Sequence, residues 1–531
     1  RSYHYWRSQC AMKGVNMLTV NNPILSGFYP DPSICAVGED FYLVTSTFAY
    51  FPGIPVFHSK DLKHWEQIGH VLDRASQLPL AGCGHSQGIY APAIRFHDGT
   101  FYVITTNVSG GGNFYVTAKD PAGPWSEPVW LGDSAPGIDP SLFFDEDGQC
   151  YYVGTRPNPQ GVRYNGDWEI WVQKLDLEQG RLVGESVKIW KGAMNGVIWP
   201  EGPHLYRKDG YYYLMIAEGG TGPDHSVTVA RSREVSGPYE GNPDNPILTH
   251  RHLGKDYPVT YVGHGDLVQD AGGNWYMVML ASRPQQGYTM MGRETFLAKV
   301  VWENGWPVVN PGIGKLEETV TLPLEEAAGE PATTLWHFWR DSLPMEFVML
   351  RNPEAGAYSL SQRFGWLRLY LKPETLRDEA SPAYVGVRQR HFCWQAGALL
   401  DFAPENEEEA AGIALVQSDR YNLRFEKVRN ERGTACIRIR RCENGVDQKI
   451  AAAEVPDGIC VLWIVCRGLE ADLYYEQNGV KHCMAAGVDL RPLSTEVAGG
   501  FTGCTVGMYA SSEGAASDGY ADFGWFLYEE I

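Results

Sequence analysis

The chain has 531 residues, of which 44 % are hydrophobic and 20 % charged, and its formal net charge is −20. Its length corresponds to about two to four domains, and its composition excludes a largely disordered chain. The negative charge repels phosphate backbones and anionic lipids, which argues against nucleic acid and membrane partners. The 17 Trp, 29 Tyr and 20 Phe favour β-structure and a sugar-binding surface.

The N-terminal segment has no apolar run typical of a signal peptide, and no segment reaches the ~18 apolar residues of a membrane-spanning helix. We expect residues 1–17 to be an N-terminal extension, with Met12 or Met17 as a candidate natural start. The 11 cysteines form no C-x-x-C pair, which predicts reduced thiols and a cytoplasmic protein. Secretion through a signal peptide that has been removed remains an alternative.

Five segments in the first part of the chain repeat one pattern: a short apolar strand, a Gly/Asp turn and an aromatic-rich strand. Such alternation around a turn is typical of β-hairpins. The segments are YPDPSICAVGEDFYLVTS from Tyr29, YAPAIRFHDGTFYVITT from Tyr90, IDPSLFFDEDGQCYYVGT from Ile138, PEGPHLYRKDGYYYLMIA from Pro200 and GHGDLVQDAGGNWYMVML from Gly263. Their spacing fits four-stranded blades, so we predict an all-β protein with a five-bladed β-propeller over residues 18–320.

The hairpin repeat stops in the second part of the chain. Residues 321–332 are acidic and punctuated by Pro and Gly, and we interpret them as a linker. Residues 333–531 contain short alternating segments separated by turn residues, with no convincing amphipathic helix. This pattern predicts a β-sandwich of jelly-roll type.

One position recurs in the opening strand of each hairpin, found by counting back from the second aromatic residue. The innermost strands of a propeller line its axis, so these five side chains should face one funnel. They are Asp31, Ala91, Asp139, Glu201 and His264. Unpaired charge in a dry channel is costly, so three carboxylates at this position indicate a function.

Hydrolysis of a glycosidic bond needs one protonated and one ionised carboxyl group. Glu201 follows the apolar run 197–200, where desolvation would raise its pKa as a general acid requires. Asp31 lies in a Pro-Asp-Pro-Ser turn, where Ser33 and backbone donors would keep it ionised as the base. Asp139, in a matching turn, would raise the pKa of Glu201 and orient it.

Each of these residues also has a purely structural interpretation. An Asp-Pro-Ser sequence is usually an Asx-type turn, and a lone residue such as His264 is more often a satisfied core histidine. Arg293 fits a clamp for sugar hydroxyls and a surface salt bridge equally well. Phe48, Phe51 and Tyr90 would serve either as a sugar platform or as blade core. Only the shared position in the repeats favours the functional interpretation.

Nine motifs in order resemble glycoside hydrolase family 43, and in particular its two-domain β-xylosidases. The motifs are NPILSGFYPDPS (22–33), STF (46–48), FPG (51–53), HSKDL (58–62), IDPS (138–141), PEGP (200–203), EGGT (218–221), GH (263–264) and GRET (292–295). Any one of them is weak evidence, whereas the ordered set is specific. The resemblance covers nearly the whole chain after about residue 20, including the C-terminal sandwich.

The resemblance implies an inverting exo-glycosidase that releases xylose from the non-reducing end of β-1,4-xylo-oligosaccharides, with side activity on α-L-arabinofuranosides. It also implies three roles: Asp31 as general base, Glu201 as general acid and Asp139 as the acid that modulates the pKa of Glu201. Xylo- and arabinoxylo-oligosaccharides are then the expected partners, together with further copies of the chain in a homo-oligomer.

The resemblance further implies sugar contacts for Phe48, Thr221 and Arg293. His264 matches an axial histidine near a water or a cation, so a structural Ca²⁺ is conceivable there, although no cofactor is required. Phe501 in GGFTG (499–503) is the candidate for a sandwich loop that closes the site. Tyr90, a further candidate sugar contact, stands where many members have Trp, which leaves the preference for xylose or arabinose open.

Three alternatives remain at this point. The first is an enzyme that acts mainly as an α-L-arabinofuranosidase. The second is a non-catalytic sugar-binding propeller, although a lectin site does not need three acids on the axis. The third is a retaining fructosidase-type propeller, although the chain lacks an Asn-Asp-Pro-Asn-Gly opening and has Tyr-Pro-Asp-Pro-Ser in that place.

Overall fold

The computed structural model describes residues 16–194 and 198–531. Nearly all of the predicted N-terminal extension, and Val197 of the apolar run before Glu201, therefore lie outside the described residues. The described part is almost entirely β-structure. Its helical segments are the 3₁₀ turns Gly132–Ser134 and Arg491–Leu493 and the one-turn α-helix Thr495–Ala498.

The repeated hairpins form as the turn residues predict. Asp98 and Gly99 have φ angles of 48° and 78°, and Asp209 and Gly210 have 50° and 80°. Two consecutive positive φ angles are what a two-residue type I′ hairpin loop requires, and Asp-Gly adopts them at low cost. The flanking strands pair directly across these loops, His97 with Thr100 in one case.

Five antiparallel sheets form the blades of the propeller in the described part of the chain. The strands of each blade follow one another in sequence from the axis outward. They are Ser33–Val37, Asp40–Val44, Gly53–Ser59 and Glu66–Leu72 in blade 1; Ala93–His97, Thr100–Asn107, Gly112–Ala118 and Val129–Trp130 in blade 2; Ile138–Phe144, Cys150–Pro157, Trp168–Asp176 and Arg181–Trp190 in blade 3; Glu201–Lys208, Tyr211–Glu218, Ser226–Ser232 and Glu240–Gly241, with Leu248–Thr249 beside the third strand, in blade 4; and Thr260–Gln269, Trp275–Ser282, Arg293–Glu303 and Trp306–Val309 in blade 5.

The blades close into a ring. The first strand of every blade contacts the first strands of both neighbouring blades, and blade 5 returns to blade 1. A separate apolar cluster fills each of the five interfaces between blades. The strand Leu18–Asn21 pairs with Thr319–Leu322, which joins the two ends of the propeller chain. The predicted five-bladed propeller is confirmed.

The C-terminal part is a two-sheet sandwich, as predicted. Its sheets enclose one large apolar core. One sheet consists of Tyr358–Ser359, Leu367–Tyr370, Tyr520–Glu530, Cys393–Asp401, Cys460–Arg467, Glu470–Gln477 and Val480–Asp489 in spatial order, with Leu335–His337 beside Tyr520–Glu530; the other consists of Ala383–Arg388, Thr505–Ser511, Ala410–Val416, Asn422–Arg429, Ala435–Glu443 and Val446–Glu454. The strand Thr319–Leu322 extends two residues into the segment interpreted as a linker, and residues 323–334 contain no strand.

The sandwich packs against the propeller beside blade 1. The short strand Tyr50–Phe51 of the propeller pairs with Met349–Leu350 of the sandwich. Buried rings from both domains, including Phe48 of the propeller and Tyr384 of the sandwich, share one apolar cluster. This contact places loops of the sandwich next to the axis of the propeller.

All ten cysteines among the described residues are unpaired. Within the same residues, no helix has the length and apolar character needed to span a bilayer.

Candidate active site

A cavity of about 350 Å³ lies where the opening ends of the innermost strands meet. Its size is near the lower end of the usual range for ligand pockets, roughly 300–1,000 Å³. The wall includes the nine residues predicted as catalytic, sugar-binding or axial, but neither Phe51 nor Ser33. It is formed by Asp31, Phe48, Tyr90, Ala91, Ile138, Asp139, Trp199, Glu201, Ala217, Gly220, Thr221, His225, His264, Arg293 and Phe501.

Two aspartates and a histidine extend into the cavity from residues with the same left-handed backbone conformation. Asp31, Asp139 and His264 have φ angles of 53°, 54° and 55°. Asp and His tolerate the left-handed region better than most residues, because their short polar side chains can bond locally. This kink in the backbone of three blades turns the three side chains toward the axis.

The alignment of Glu201 with these residues was wrong by one position. Strand pairing matches Ile138 in blade 3 with Glu201 in blade 4, because each precedes the same register shift. The residue equivalent to Asp139 is therefore Gly202, whose φ angle is 56°. Counting back from the second aromatic residue did not fix this position, because the turns differ in length and the innermost strands are irregular at their cavity ends. Glu201 reaches the cavity from the position before the kink.

Gly202 is needed at this position for steric reasons. A Cβ atom built on it would lie 2.8 Å from Nε2 of His264. Its N–H donates to Oδ2 of Asp139 at 3.1 Å, which ties blade 4 to blade 3. The close packing of the His264 ring on this glycine brings His264 next to the backbone that carries Glu201.

Asp31 is surrounded by donors and positive charge. Its Oδ2 accepts a hydrogen bond from Ser46 Oγ at 2.7 Å, and its Oδ1 lies 3.3 Å from both Arg293 Nη1 and His264 Nδ1. Burial alone would raise the pKa of Asp31, but Arg293, His264 and Ser46 together hold it below the usual value. The prediction that Ser33 stabilises Asp31 was wrong, because the Ser33 hydroxyl donates to Asp266 instead.

Asp139 and Glu201 show the opposite behaviour. Burial, with a contribution from the Asp31 charge, raises the pKa of Asp139 to about 6 against the lowering effects of His264 and the Gly202 N–H. Burial and then the charges of Asp139 and Asp31 raise the pKa of Glu201 well above its usual value. One cavity therefore holds a carboxyl group whose pKa is lowered and another whose pKa is raised, the division that acid–base catalysis needs.

Arg293 is a buried residue of the cavity and does not form a surface salt bridge. Its side chain is 8 % exposed, and Nη1 lies 3.4 Å from Thr221 Oγ1 in addition to its contact with Asp31. Its Nε has no hydrogen-bond partner within the described part of the chain. A buried guanidinium with a free N–H can donate to an oxygen of a bound molecule.

Three aromatic rings form one side of the cavity. Phe48 stacks on Phe501 with a centroid distance of 5.9 Å, and Tyr90 meets Phe48 edge-on at 5.3 Å. Phe501 comes from the sandwich, and its N–H donates to Ser86 Oγ of the propeller at 2.9 Å. The sandwich therefore supplies part of the wall. Phe51, the other ring considered for a sugar platform, lies in the strand that joins the domains.

Several wall residues had no role in the sequence analysis. Trp199 packs against Trp168 at 5.3 Å between centroids, and burial lowers the pKa of His225 to about 4. His225 Nδ1 lies 2.8 Å from the carbonyl oxygen of Tyr261, so this nitrogen carries the proton. Trp199 could have been found from its position two residues before Glu201. His225 carries no local signal, because the chain reaches the cavity there through a loop. Ser46, which bonds Asp31 from outside the wall, belongs to the STF motif, but the sequence analysis gave it no role.

The surroundings of His264 do not fit a calcium ion. Calcium in proteins takes about six to eight oxygen ligands, whereas His264 offers nitrogen and has Asp31 as its close carboxylate. Across residues 16–194 and 198–531, no group of three or more His, Cys, Asp or Glu side chains is arranged to hold a metal.

The arrangement suits acid–base cleavage of a glycosidic bond. An ionised and a protonated carboxyl group share a small cavity with aromatic walls on which a sugar ring can pack. The cavity is closed on one side by a loop of the second domain. It can therefore accept the end of a sugar chain.

Comparison with known proteins agrees with this chemistry. Residues 20–307 match "Glycosyl hydrolases family 43", and residues 336–529 match "Beta xylosidase C-terminal Concanavalin A-like domain". A protein of Butyrivibrio fibrisolvens named xylosidase/arabinosidase is 54 % identical over 97 % of this chain and 100 % of its own length. The non-reducing end alpha-L-arabinofuranosidase BoGH43B of Bacteroides ovatus is 43 % identical over 96 % of this chain and 94 % of its own.

Solved structures give the same result. The structure described as Bacteroides ovatus Xyloglucan PUL GH43B superposes with a TM-score of 0.91 at 40 % identity, covering 97 % of this chain and 100 % of the other. The xylan beta-1,4-xylosidase of Bacillus Halodurans C-125 superposes with a TM-score of 0.90 at 35 % identity, covering 96 % and 100 %. The chain is a glycoside hydrolase that belongs to glycosyl hydrolase family 43.

Proposed function

We propose that this protein is an inverting exo-glycosidase. It releases xylose from the non-reducing end of β-1,4-xylo-oligosaccharides and also removes terminal α-L-arabinofuranosyl groups. The observation that carries this proposal is the division of the carboxyl groups in one cavity: contacts with Arg293 and His264 lower the pKa of Asp31, while burial and the Asp139 charge raise the pKa of Glu201 well above its usual value. The names of the relatives, which combine xylosidase with arabinosidase, support the two substrate classes.

The catalytic step follows from this division. Asp31 accepts a proton from a water molecule whose oxygen attacks the anomeric carbon. The bond from that carbon to the glycosidic oxygen breaks, and Glu201 gives its proton to the departing oxygen. Since water attacks the face opposite the leaving group, the released sugar has the inverted configuration. Water and these side chains supply all the acid–base chemistry, so we propose that no cofactor takes part.

The other predicted residues support this step. Asp139 carries the charge that, after burial, contributes most to the raised pKa of Glu201. We propose that Arg293 and Thr221 bond hydroxyl groups of the bound sugar and that Phe48 and Phe501 pack on its ring. Because the Phe501 loop closes one side, the cavity fits a terminal sugar better than the middle of a polymer.

Product analysis and two substitutions test the proposal. ¹H NMR during the first minutes of xylobiose hydrolysis should show α-xylose, the inverted anomer, as the first product. Asp31→Asn and Glu201→Gln should each lower kcat on xylobiose by about 10²- to 10⁴-fold. Asp61→Asn is the matched control, since Asp61 is a fully buried aspartate in an outer turn of blade 1 that bonds to His64. Initial release of β-xylose, or near-normal turnover in either site variant, would contradict the proposal.

A second candidate is an enzyme that acts mainly as an α-L-arabinofuranosidase. The relative from Bacteroides ovatus carries that name, and one ring of the cavity wall is Tyr90, which stands where many members of the family have Trp. The ratio of kcat/KM on 4-nitrophenyl β-D-xyloside and 4-nitrophenyl α-L-arabinofuranoside separates the two candidates. A ratio below one would favour the second candidate.

A further inference from the structure

A layer of buried polar side chains lies below the cavity, two residues further along each of several innermost strands. Asp266 is its centre, two residues after His264, and its side chain is fully buried. Ser33 and His204 belong to the same layer, two residues after Asp31 and Gly202 respectively. None of the three lines the cavity.

Asp266 accepts hydrogen bonds from three other blades. Ser33 Oγ and the Ile34 N–H of blade 1 donate to Oδ2 at 2.7 and 3.0 Å. Arg95 of blade 2 donates to both oxygens, at 2.9 and 2.8 Å. The hydroxyl of Tyr206 in blade 4 donates to Oδ1 at 2.5 Å. Burial opposes ionisation, but Arg95 and the other donors keep the pKa of Asp266 below its usual value, so the group is a carboxylate.

Further bonds tie the donors to one another. The Ile94 N–H of blade 2 donates to Ser33 Oγ at 3.0 Å, and the Leu267 N–H of blade 5 donates to the Tyr206 oxygen at 2.8 Å. Arg95 Nη2 lies 3.1 Å from Nδ1 of His204, which must be the acceptor because guanidinium only donates. Four of the five blades thus meet at one buried anion.

Two of the blades that meet at Asp266 are those that carry the proposed base and acid. Ser33 follows Asp31 by two residues, and Tyr206 lies in the same strand as Glu201. We propose that Asp266 is a positioning residue: through Ser33 it sets the place of the base, and through Tyr206 it sets the place of the acid. This inference rests on the proposed roles of Asp31 and Glu201. A misplacement of about 1 Å can cost roughly 100-fold in rate, so the hydrogen bonds that hold these strands at Asp266 affect catalysis.

Removing the hydroxyl group of Tyr206 or of Ser33 tests the two connections to Asp266 separately. Tyr206→Phe loosens the acid side, and the loss should depend on the leaving group. Xylobiose needs protonation of its departing sugar, whereas 2,4-dinitrophenolate leaves without help. Ser33→Ala loosens the base side, which both substrates need equally.

The experiment measures kcat and KM of each variant on xylobiose and on 2,4-dinitrophenyl β-D-xyloside. Tyr206→Phe should lose roughly tenfold in kcat on xylobiose and far less on the aryl xyloside. Ser33→Ala should lose a similar factor on both substrates. KM should stay within about twofold in each case, because the sugar contacts are intact.

Tyr276→Phe is the matched control. Tyr276 is a buried tyrosine in blade 5 whose hydroxyl donates to a buried aspartate, Asp270, at 2.8 Å, but it does not line the cavity. Its kcat should equal that of the wild type on both substrates. The inference is overturned if Tyr206→Phe loses the same factor on both substrates, or if either site variant matches Tyr276→Phe. If the wild type cleaves neither substrate, that result contradicts the proposed function and not the positioning role of Asp266.

Discussion

Gly202 leaves no room for a side chain, so alanine at this position tests how closely the catalytic groups are placed. The Cβ of alanine would lie 2.8 Å from Nε2 of His264, whereas ordinary contact begins at 3.4 Å. The ring or the backbone that carries Glu201 must therefore move by about 0.6 Å, the difference between these two distances. The φ angle of 56° adds about 1–2 kcal/mol of strain for any residue with a Cβ atom.

The displacement sets the expected loss of activity. If about 1 Å of misplacement costs roughly 100-fold, a shift of this size costs about 10- to 30-fold in kcat on xylobiose. KM should change little, because Gly202 itself does not line the cavity. Steady-state kinetics on xylobiose, with thermal unfolding to verify the folded fraction, measures both quantities.

Gly38→Ala separates strain from displacement. Gly38 has a φ angle of 60°, and a Cβ atom there meets nothing within 4 Å. It should lose the stability that backbone strain alone costs, and none of the activity. If Gly202→Ala kept kcat within twofold of Gly38→Ala, the packing of His264 on this strand would not position the reacting groups.

Three further changes have distinct expected results. Asp139→Asn removes a charge that raises the pKa of Glu201, so Glu201 should lose its proton at lower pH and the alkaline limb of the kcat/KM profile should move to lower pH. An alkaline limb at the wild-type pH would contradict this role. Ser46→Ala removes a bond that lowers the pKa of Asp31, so the acidic limb should move to higher pH, which the same pH profile checks. Phe501→Ala removes an aromatic wall and should raise KM for 4-nitrophenyl β-D-xyloside by roughly tenfold with a smaller change in kcat, whereas an unchanged KM would mean that the ring does not contact the sugar.

The propeller could be predicted because its signals are local. Each hairpin carries its own turn residues, and pairs such as Asp98 and Gly99 adopt the backbone angles that such a turn demands. The repetition of that unit then gives the ring, because the first strand of each blade needs a neighbour on both sides. The strand Thr319–Leu322 was assigned partly to the linker, because its partner, Leu18–Asn21, is about three hundred residues away along the chain.

The register of Glu201 could not be obtained by counting. The strand pairing is regular near the hairpin turns but shifts at the cavity ends of the innermost strands. The shifts lie between Ile138 and Ser141 in blade 3 and between Glu201 and His204 in blade 4. These irregularities create the kink that aims the side chains at the cavity. The part of the strand that matters most for catalysis is therefore the part whose register cannot be obtained from residue numbers alone.

The residues that shift the pKa values of Asp31 and Asp139 could not be predicted from the sequence either. Asp31 and Asp139 occupy matching Asp-Pro-Ser turns, yet the pKa of one is lowered and that of the other is raised to about 6. The sequence around each residue does not contain the cause. Arg293, whose guanidinium contacts Asp31, is 262 residues away along the chain. The different behaviour of these two similar aspartates is thus a property of the closed ring, because closure brings Arg293 of blade 5 against Asp31 of blade 1. Among the described residues, no arginine forms such an ion pair with Asp139.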